Sequence, residues 1–413
     1  MSSSIEAEPE RKAASHASSH FIKTIQFDDW KSLGHAVALS LSPRRTVLVG
    51  RNGGGKSLLL EGIRDAVYSA TGLAPQTAQP IRKFTLGIAS LANPERVEFW
   101  YTWEVAQANQ GPRRSTRVDD RSSRAQRCWD AGSNQLLWRI DESGLAYFYP
   151  GTPKEKRVHF INASSLAGQD VPDDYRGEPP GQSLAIVVEC MTDLRSVAAV
   201  IPVRGCWRKP ALVLRDDEYL SVHQLVERLH VSSPDTLTDR LAALSQDASN
   251  VFEEINAVGV RLGIWRKLAI EKYTKPQGRE SDVVVAATVD GINLGLVSDG
   301  TLRLLKILLE LVQGAYHRSP LLIDEPELGI HPGLLGRLLA EFDAYGAGRQ
   351  LIIATHSPQV VSWAKPEELR LVERKDERTM VRSLTKEQSA RVYDYLQDQG
   401  NLGEFVYDGG LDE

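Results

Sequence analysis

Cysteine is scarce. The chain has three, Cys128, Cys190 and Cys206, far apart and odd in number. That excludes a disulfide framework and a cysteine-based zinc site, and it fits the reducing cytoplasm. Long apolar runs are missing too: no stretch reaches the roughly 18 residues of a membrane-spanning helix, so no membrane contact is expected. The opening segment "MSSSIEAEPERKAASHASSH" has no apolar core of the secretory kind, and it reads as a disordered leader over residues 1–20. Basic residues do not dominate: 49 Lys and Arg against 54 Asp and Glu leave a formal charge of −5. Any nucleic-acid surface must therefore be local. No internal repeat and no sustained heptad occur, which excludes a solenoid and a long coiled coil. No nuclease-, protease- or Toprim-like acidic cluster is visible. What is there is an ordinary globular balance, 42% hydrophobic and 25% charged, over 413 residues. That length suffices for two or three packed units.

Ordered patterning begins at Phe21. "FIKTIQFDDW" and "HAVALSLS" alternate apolar and polar residues, as paired strands do. "RTVLVG" is a short apolar run typical of a buried parallel strand, and "SLLLEGIRDAVYSA" after it has helical spacing. "RVEFWYTWEV" reads as a strand, residues 106–135 as a polar, Arg-rich loop or hairpin insertion, and "RVHFINAS" as another strand. "GQDVPDDYRGEPPGQS" is a linker, and residues 184–280 read as mostly helical. "SDVVVAATVDGINLGLV" predicts a hairpin turning at Asp290-Gly291. A buried strand "PLLIDEP", a helix near 332–345, a strand "QLIIATH" and a strand pair near 369–384 complete the ordered part. The acidic tail "GNLGEFVYDGGLDE" carries two apolar anchors, Phe405 and Tyr407, which would dock it on the body or on a partner; a frayed terminus is the default expectation.

Three stretches carry chemistry. "GRNGGGKS" at 50–57 matches the full phosphate-loop pattern, after a strand and before a helix. Gly50, Gly53, Gly54 and Gly55 let the backbone curl so that its N–H groups point inward, and Arg51, Asn52 and Leu58 complete the nucleotide-binding run. Lys56 is expected on the β- and γ-phosphates of ATP, and the Ser57 hydroxyl on Mg²⁺. "LLIDEPELGIHP" supplies two carboxylates at a strand end. Asp324 would hold the Mg²⁺, and Glu325, pointing the other way on the pleat, would orient and deprotonate the attacking water. "LIIATHSP" ends a strand placed beside that one, so His356 could donate a hydrogen bond to the γ-phosphate. Lys56, Glu325 and His356 are thus the candidate catalytic residues. A fourth stretch, "LVSDGTLRLL" at 296–305, reads as a helix start, with Ser298, Asp299 and Gly300 before an apolar face.

In chain order, "GRNGGGKS", "VSDGTLRLL", "LLIDEPELGIHP" and "IIATHSP" together resemble the ATP-binding cassette class of P-loop ATPases. The form is that of the soluble branch with SMC and RecF, and within it of the bacterial AAA-family ATPases of overcoming-lysogenisation-defect and anti-phage operon type. The resemblance covers residues 21–105 and about 281–384. It implies an α/β P-loop NTPase fold of ATP-binding-cassette type, with a mixed central sheet, an antiparallel β subdomain and a helical insertion. It also implies a homodimer, or a higher oligomer, formed head to tail on ATP, in which Ser298, Asp299 and Gly300 act as the signature in trans. Glu327 to His331 would be the loop at the dimer seam, and Gln76 and Gln79 are candidates for the glutamine loop. Asp299 stands where transporter cassettes usually have Gly, which argues against a transporter subunit.

The expected divisions are an N-terminal lobe over 21–183, a helical insertion over 184–280, a C-terminal lobe over 281–384 and a tail over 385–413. Arg113, Arg114, Arg117, Arg121 and Arg124 form a basic cluster, read either as a solvated loop or as a nucleic-acid or partner contact. The functional expectation is a cytoplasmic ATPase that hydrolyses ATP to ADP and phosphate and regulates a companion effector in anti-phage defence. The alternatives are a RecF- or SMC-like repair ATPase with DNA across the dimer, and a scaffold that binds ATP but barely hydrolyses it.

Overall fold

The short apolar run before the glycine-rich stretch becomes a central strand of a six-stranded sheet. The computed structural model describes residues 20–28, 30, 33–34, 37–70, 81–105, 124–140, 146–148, 156–158, 186–188, 190, 198–200, 212–215, 237–274, 282–315, 320–375, 378–397 and 401–407. In chain order these contain β1 (His20–Asp28), β2 (Val37–Ser40), β3 (Arg45–Val49), α1 (Lys56–Ala70), β4 (Lys83–Ser90), β5 (Val97–Val105) and β6 (Arg124–Asp130). Next come β7 (Leu136–Ile140), β8 (Ala146–Phe148), β9 (Lys156–Val158), β10 (Ala198–Val200), β11 (Leu212–Arg215), α2 (Leu237–Asp247), α3 (Ser249–Leu262), β12 (Leu268–Thr274), β13 (Asp282–Val289) and β14 (Ile292–Asn293). The last part holds α4 (Asp299–Ala315), β15 (Leu321–Asp324), α5 (Pro332–Tyr345), β16 (Leu351–Thr355), α6 (Pro358–Trp363), β17 (Leu369–Lys375), β18 (Arg378–Arg382), α7 (Lys386–Gln397) and α8 (Leu402–Tyr407).

The central sheet runs β10-β15-β16-β3-β17-β18, parallel except for β18. Side chains alternate across a strand, and the sheet uses this to divide two cores. Val47, Val49, Leu321, Ile323, Leu351 and Ile353 face one, with α4, α5 and α6. Leu48, Leu322, Ile352 and Ala354 face the other, with α1 and the antiparallel sheet β2-β1-β4-β5-β6-β7-β8-β9. Gln350 ties that second sheet to the first. Its side-chain oxygen accepts from Ile22 N (3.1 Å), and its Nε2 donates to the carbonyls of Ile22 and Ser42, both at 3.0 Å. A third sheet pairs β11, β13 and β12, and β14 folds back on β13. The turn lies at the expected Asp290-Gly291, with φ of 52° and 78°. It leads through a short 3-10 turn at Leu294–Leu296 into α4.

Three expectations are refined. Within the segment read as a polar loop or hairpin insertion, residues 124–130 form β6, which makes a hairpin with β7 and pairs along its length with β5, with Cys128 buried. Inward Gln126 and Cys128 alternate with outward Arg127 and Trp129, so the arginines hid a strand pattern. Residues 184–280 are not simply helical: they include β10, β11 and β12, and β10 completes the central sheet beside β15. Apolar runs as short as "AAV" do not separate strand from helix by period. The described part of the acidic tail docks on the body instead of fraying: α8 is formed, and Leu402 is buried. The leader, the linker at 168–183 and most of "RVHFINAS" lie outside the described residues.

Ile353 is fully buried at the centre of the sheet. Ile353→Ala should cost about 2–5 kcal/mol of stability, read as a lowered denaturant midpoint.

Candidate nucleotide-binding and hydrolysis site

β3 ends at Val49, and the chain turns through the phosphate loop into α1. The loop lies on β17 and β18. A Cβ on Gly50 would collide with the carbonyl oxygen of Val372, and one on Gly55, whose φ is 103°, would lie 2.5 Å from Thr379 Oγ1. Only glycine fits either place. Lys56 Nζ donates to Gly50 O (2.7 Å) and Arg51 O (3.2 Å), so the lysine spans its own loop. Burial lowers its pKa, and the carboxylates of Glu325, Asp324 and Glu327 oppose that. Arg51, Asn52, Gly53 and Ser57 are exposed at the loop's outer side, and Leu58 is half-buried.

β15 brings Asp324 to the same end of the sheet. β16 lies between β15 and β3, and neighbouring strands are about 4.8 Å apart. Asp324 thus ends two strand spacings from Gly50, with Thr355 and His356 at the strand end between them. Burial raises the Asp324 pKa, and a hydrogen bond with the Ser57 side chain counters it. Asp324 Oδ1 is buried and has no hydrogen-bond partner. A buried carboxylate oxygen without a partner, beside a serine hydroxyl, is a donor set that fits Mg²⁺, which takes one or two protein oxygens and completes its shell with phosphate and water. Among the described residues, no group of three or more His, Cys, Asp or Glu is placed to hold a metal.

Glu325 departs from the expectation that it continues the pleat. The strand stops at Asp324, and Glu325 has φ of 49°, left-handed and unusual for a non-glycine before proline. Its N–H donates to Ala354 O at 2.7 Å. Arg303 of α4 holds the strained turn from the other side. Its Nη2 donates to the carbonyl of Asp324 and, at 2.8 Å, to that of Glu325. Burial lowers the Arg303 pKa, opposed by Asp324, Glu325 and Glu327. His356 Nδ1 lies 3.2 Å from Glu325 Oε1 and 3.4 Å from Glu327 Oε1. The same Glu327 oxygen accepts from the Thr355 hydroxyl (2.7 Å) and from His356 N (3.0 Å).

Lys56, Ser57, Asp324, Glu325 and His356 are therefore brought together. Ser298, Asp299 and Gly300 open α4, one turn before Arg303. Ser298 caps α4, with its Oγ 3.2 Å from the Thr301 N–H that donates to it. Gly300 packs on the loop after β15, where a Cβ would lie 2.7 Å from Gly329 O. Ser298 and Asp299 are exposed, as are Leu296, two residues before Ser298, and Leu328, which precedes Gly329. Arg113, Arg114, Arg117, Arg121, Gln76 and Gln79 lie outside the described residues, and Arg124 opens β6 opposite Val105.

Sequence reasoning missed Arg303 and the grip of Glu327 on the switch strand. Arg303 left one signal, a lone basic residue amid Leu302, Leu304 and Leu305. Glu327 left none, because its partners are 28 and 29 residues away.

A glycine-rich loop after one strand, a strand ending in His356 next to it and an acidic strand beyond give the chain an α/β P-loop NTPase fold of ATP-binding-cassette type. In agreement, residues 219–362 match the family model described as "AAA domain, putative AbiEii toxin, Type IV TA system". The matched stretch contains Ser298, Asp324, Glu325 and His356. Among solved structures, the chain is similar to an SMC head bound to the C-winged helix domain of ScpA, at 12% identity and TM-score 0.41, covering 90% of this chain and 99% of that one. It is similar to a Pyrococcus furiosus Smc head domain with an extended coiled coil, bound to the C-terminal domain of ScpA, at 12% identity and TM-score 0.40, over 92% and 100%. A third is the SMC head domain from Thermotoga maritima, at 14% identity and TM-score 0.36, over 88% and 99%. No curated protein matches the sequence. Among the described residues, no helix is long and apolar enough to cross a membrane.

α4 also carries Lys306, which burial holds at a pKa of about 8, with Glu310 opposing and Arg240, Arg64 and Arg303 adding to the fall. The folded value lies below the ordinary 10.5, so the unfolded chain binds more protons between those values, and stability from this group rises from about pH 8 to 10.5. Lys306→Met should be more stable than the parent at pH 7, on the order of 3 kcal/mol. That gap should close towards pH 10.5 in denaturant titrations.

Proposed function

We propose that this protein hydrolyses ATP to ADP and phosphate at a site that a second copy completes, and that the ATP-driven dimer regulates a companion effector in anti-phage defence. The observation that carries the reading is the meeting of Ser57, Asp324, Glu325 and His356 at the ends of three adjacent parallel strands. Lys56 exchanges its two loop carbonyls for the β- and γ-phosphates. Ser57 and Asp324 would hold Mg²⁺, which would supply positive charge against the phosphates. Glu325, fixed by Arg303 through its backbone, orients the attacking water and takes its proton. His356 reads the γ-phosphate from between the two strands.

Ser298, Asp299 and Gly300 offer the start of α4 to the nucleotide of the partner subunit, where the helix dipole favours phosphate. Exposed Leu296 and Leu328 supply apolar area around that contact. ATP then favours the closed dimer because it binds both surfaces of that state and only one surface of the monomer. The effector and defence role draw support from the AbiEii description of the matched family, and the reading places the protein in the cytoplasm.

The test is Glu325→Gln. It should slow turnover at least 100-fold and form an ATP-dependent dimer by light scattering. Adding Ser298→Arg should abolish the dimer and spare binding of a fluorescent ATP analogue. A Glu325→Gln chain that stays monomeric with ATP refutes the reading.

One observation favours nucleic acid as a second reading. Arg127 and Arg139 are direct cross-strand partners on β6 and β7, and Trp100 and Trp129 on β5 and β6. A polyanion would pair with these two arginines while bases stack on the indoles. If this face binds single-stranded DNA, Arg127→Glu should flatten the slope of log K against log[salt] by about 0.7 or more. No binding by the parent chain at low salt disposes of this reading.

A further inference from the structure

We propose that the C-terminal helix α8 belongs to the catalytic apparatus, and that Gly403, with Ser362 and Asn401, positions the strand-to-helix corner carrying His356. The inference rests on the reading of His356 as the residue that senses the γ-phosphate.

α8 is anchored, not frayed. Leu402 is buried in the core on the α4 side of the central sheet, Phe405 and Val406 pack against that core, and the rings of Phe405 and Tyr395 lie 5.2 Å apart. Its sharpest contact is backbone to backbone. A Cβ on Gly403 would lie 2.6 Å from the carbonyl carbon of Pro358 and 2.7 Å from its Cα. Pro358 opens α6, two residues after His356. Ser362, one turn on, joins both helices. Its hydroxyl accepts from Gly403 N (3.0 Å), and its hydrogen is shared between Pro358 O (2.8 Å) and Asn401 Oδ1 (2.9 Å). Asn401 Oδ1 also accepts from Glu404 N at 2.9 Å, capping α8.

The other wall of the corner is Glu327, which holds Thr355 and the His356 N–H. At Tyr407, which ends α8, burial raises the phenol's pKa, and the Glu327 carboxylate raises it further. α8 thus touches, at Pro358, the start of the helix into which the switch histidine leads. A shift of α8 moves Pro358, and with it the distance from the His356 ring to Glu325. The phosphate loop is buttressed separately by Val372 and Thr379, so nucleotide binding need not feel that shift.

The test uses the full chain and separates turnover from binding. Gly403→Ala places a methyl group into Pro358 and should lower kcat about tenfold or more. The Kd for ATP should stay within twofold, and the melting temperature should stay near the parent's. Ser362→Ala adds no atom and should lower kcat about threefold with the same unchanged Kd. It decides the matter if Gly403→Ala fails to fold. Parental kcat in the folded variants overturns the inference. So do losses of kcat, ATP affinity and melting temperature in step, the mark of general loosening. His356→Ala is the control: parental turnover there removes the switch reading and this inference together, whereas a loss there with normal Gly403→Ala and Ser362→Ala removes this inference alone.

Discussion

Every functional group in the cleft hangs from the register of three parallel strands. Ile353 pairs with Val47 on one side and with Ile323 on the other. That register sets the phosphate loop, the switch corner and the acidic tip at one end of the sheet. Side-chain period in a strand is two, so a slip of one residue would exchange the faces of Ile352 and Ile353 and send each into the wrong core. Both are almost fully buried. The same burial that stabilises the sheet therefore specifies the site, with no dedicated contact needed to align its parts.

Charge does the finer work. Lys56 and Arg303 face Asp324, Glu325 and Glu327 in a partly dehydrated cleft. Removing one partner from such a set leaves a buried charge uncompensated, which costs more than the contact contributed. The lysine and the arginine also spend hydrogen bonds on backbone carbonyls, of Gly50 and Arg51 in one case and of Asp324 and Glu325 in the other. Both bases thus shape the loops they sit beside. Arg303 does so at the one turn where a glutamate takes a left-handed conformation, a strain of about 1–3 kcal/mol that its surroundings must hold.

What the sequence disclosed was local. The phosphate loop, the turn at Asp290-Gly291, the helix at Pro332–Tyr345 and the strand end at His356 are each written in fewer than twenty consecutive residues. Glycines, proline and periodicity mark them. What it withheld was long-range or too short to show a period. β10 is three residues and joins a sheet whose next strand begins 121 residues further on. Glu325 looked like a strand residue because alternation says nothing about where a strand stops. The docking of α8 depends on a glycine whose need is visible only beside Pro358, 45 residues earlier.

The central sheet has a further consequence. Its two faces feed two cores that share the backbone ladder and little else. It works as a partition wall. Repacking on the α1 side, where the antiparallel sheet lies, reaches the other side only as a change in strand spacing, and hydrogen-bonded strands resist that change. One half of the molecule is thus free to diversify its outer surface while the inner ledge of carboxylates and the histidine keeps its dimensions.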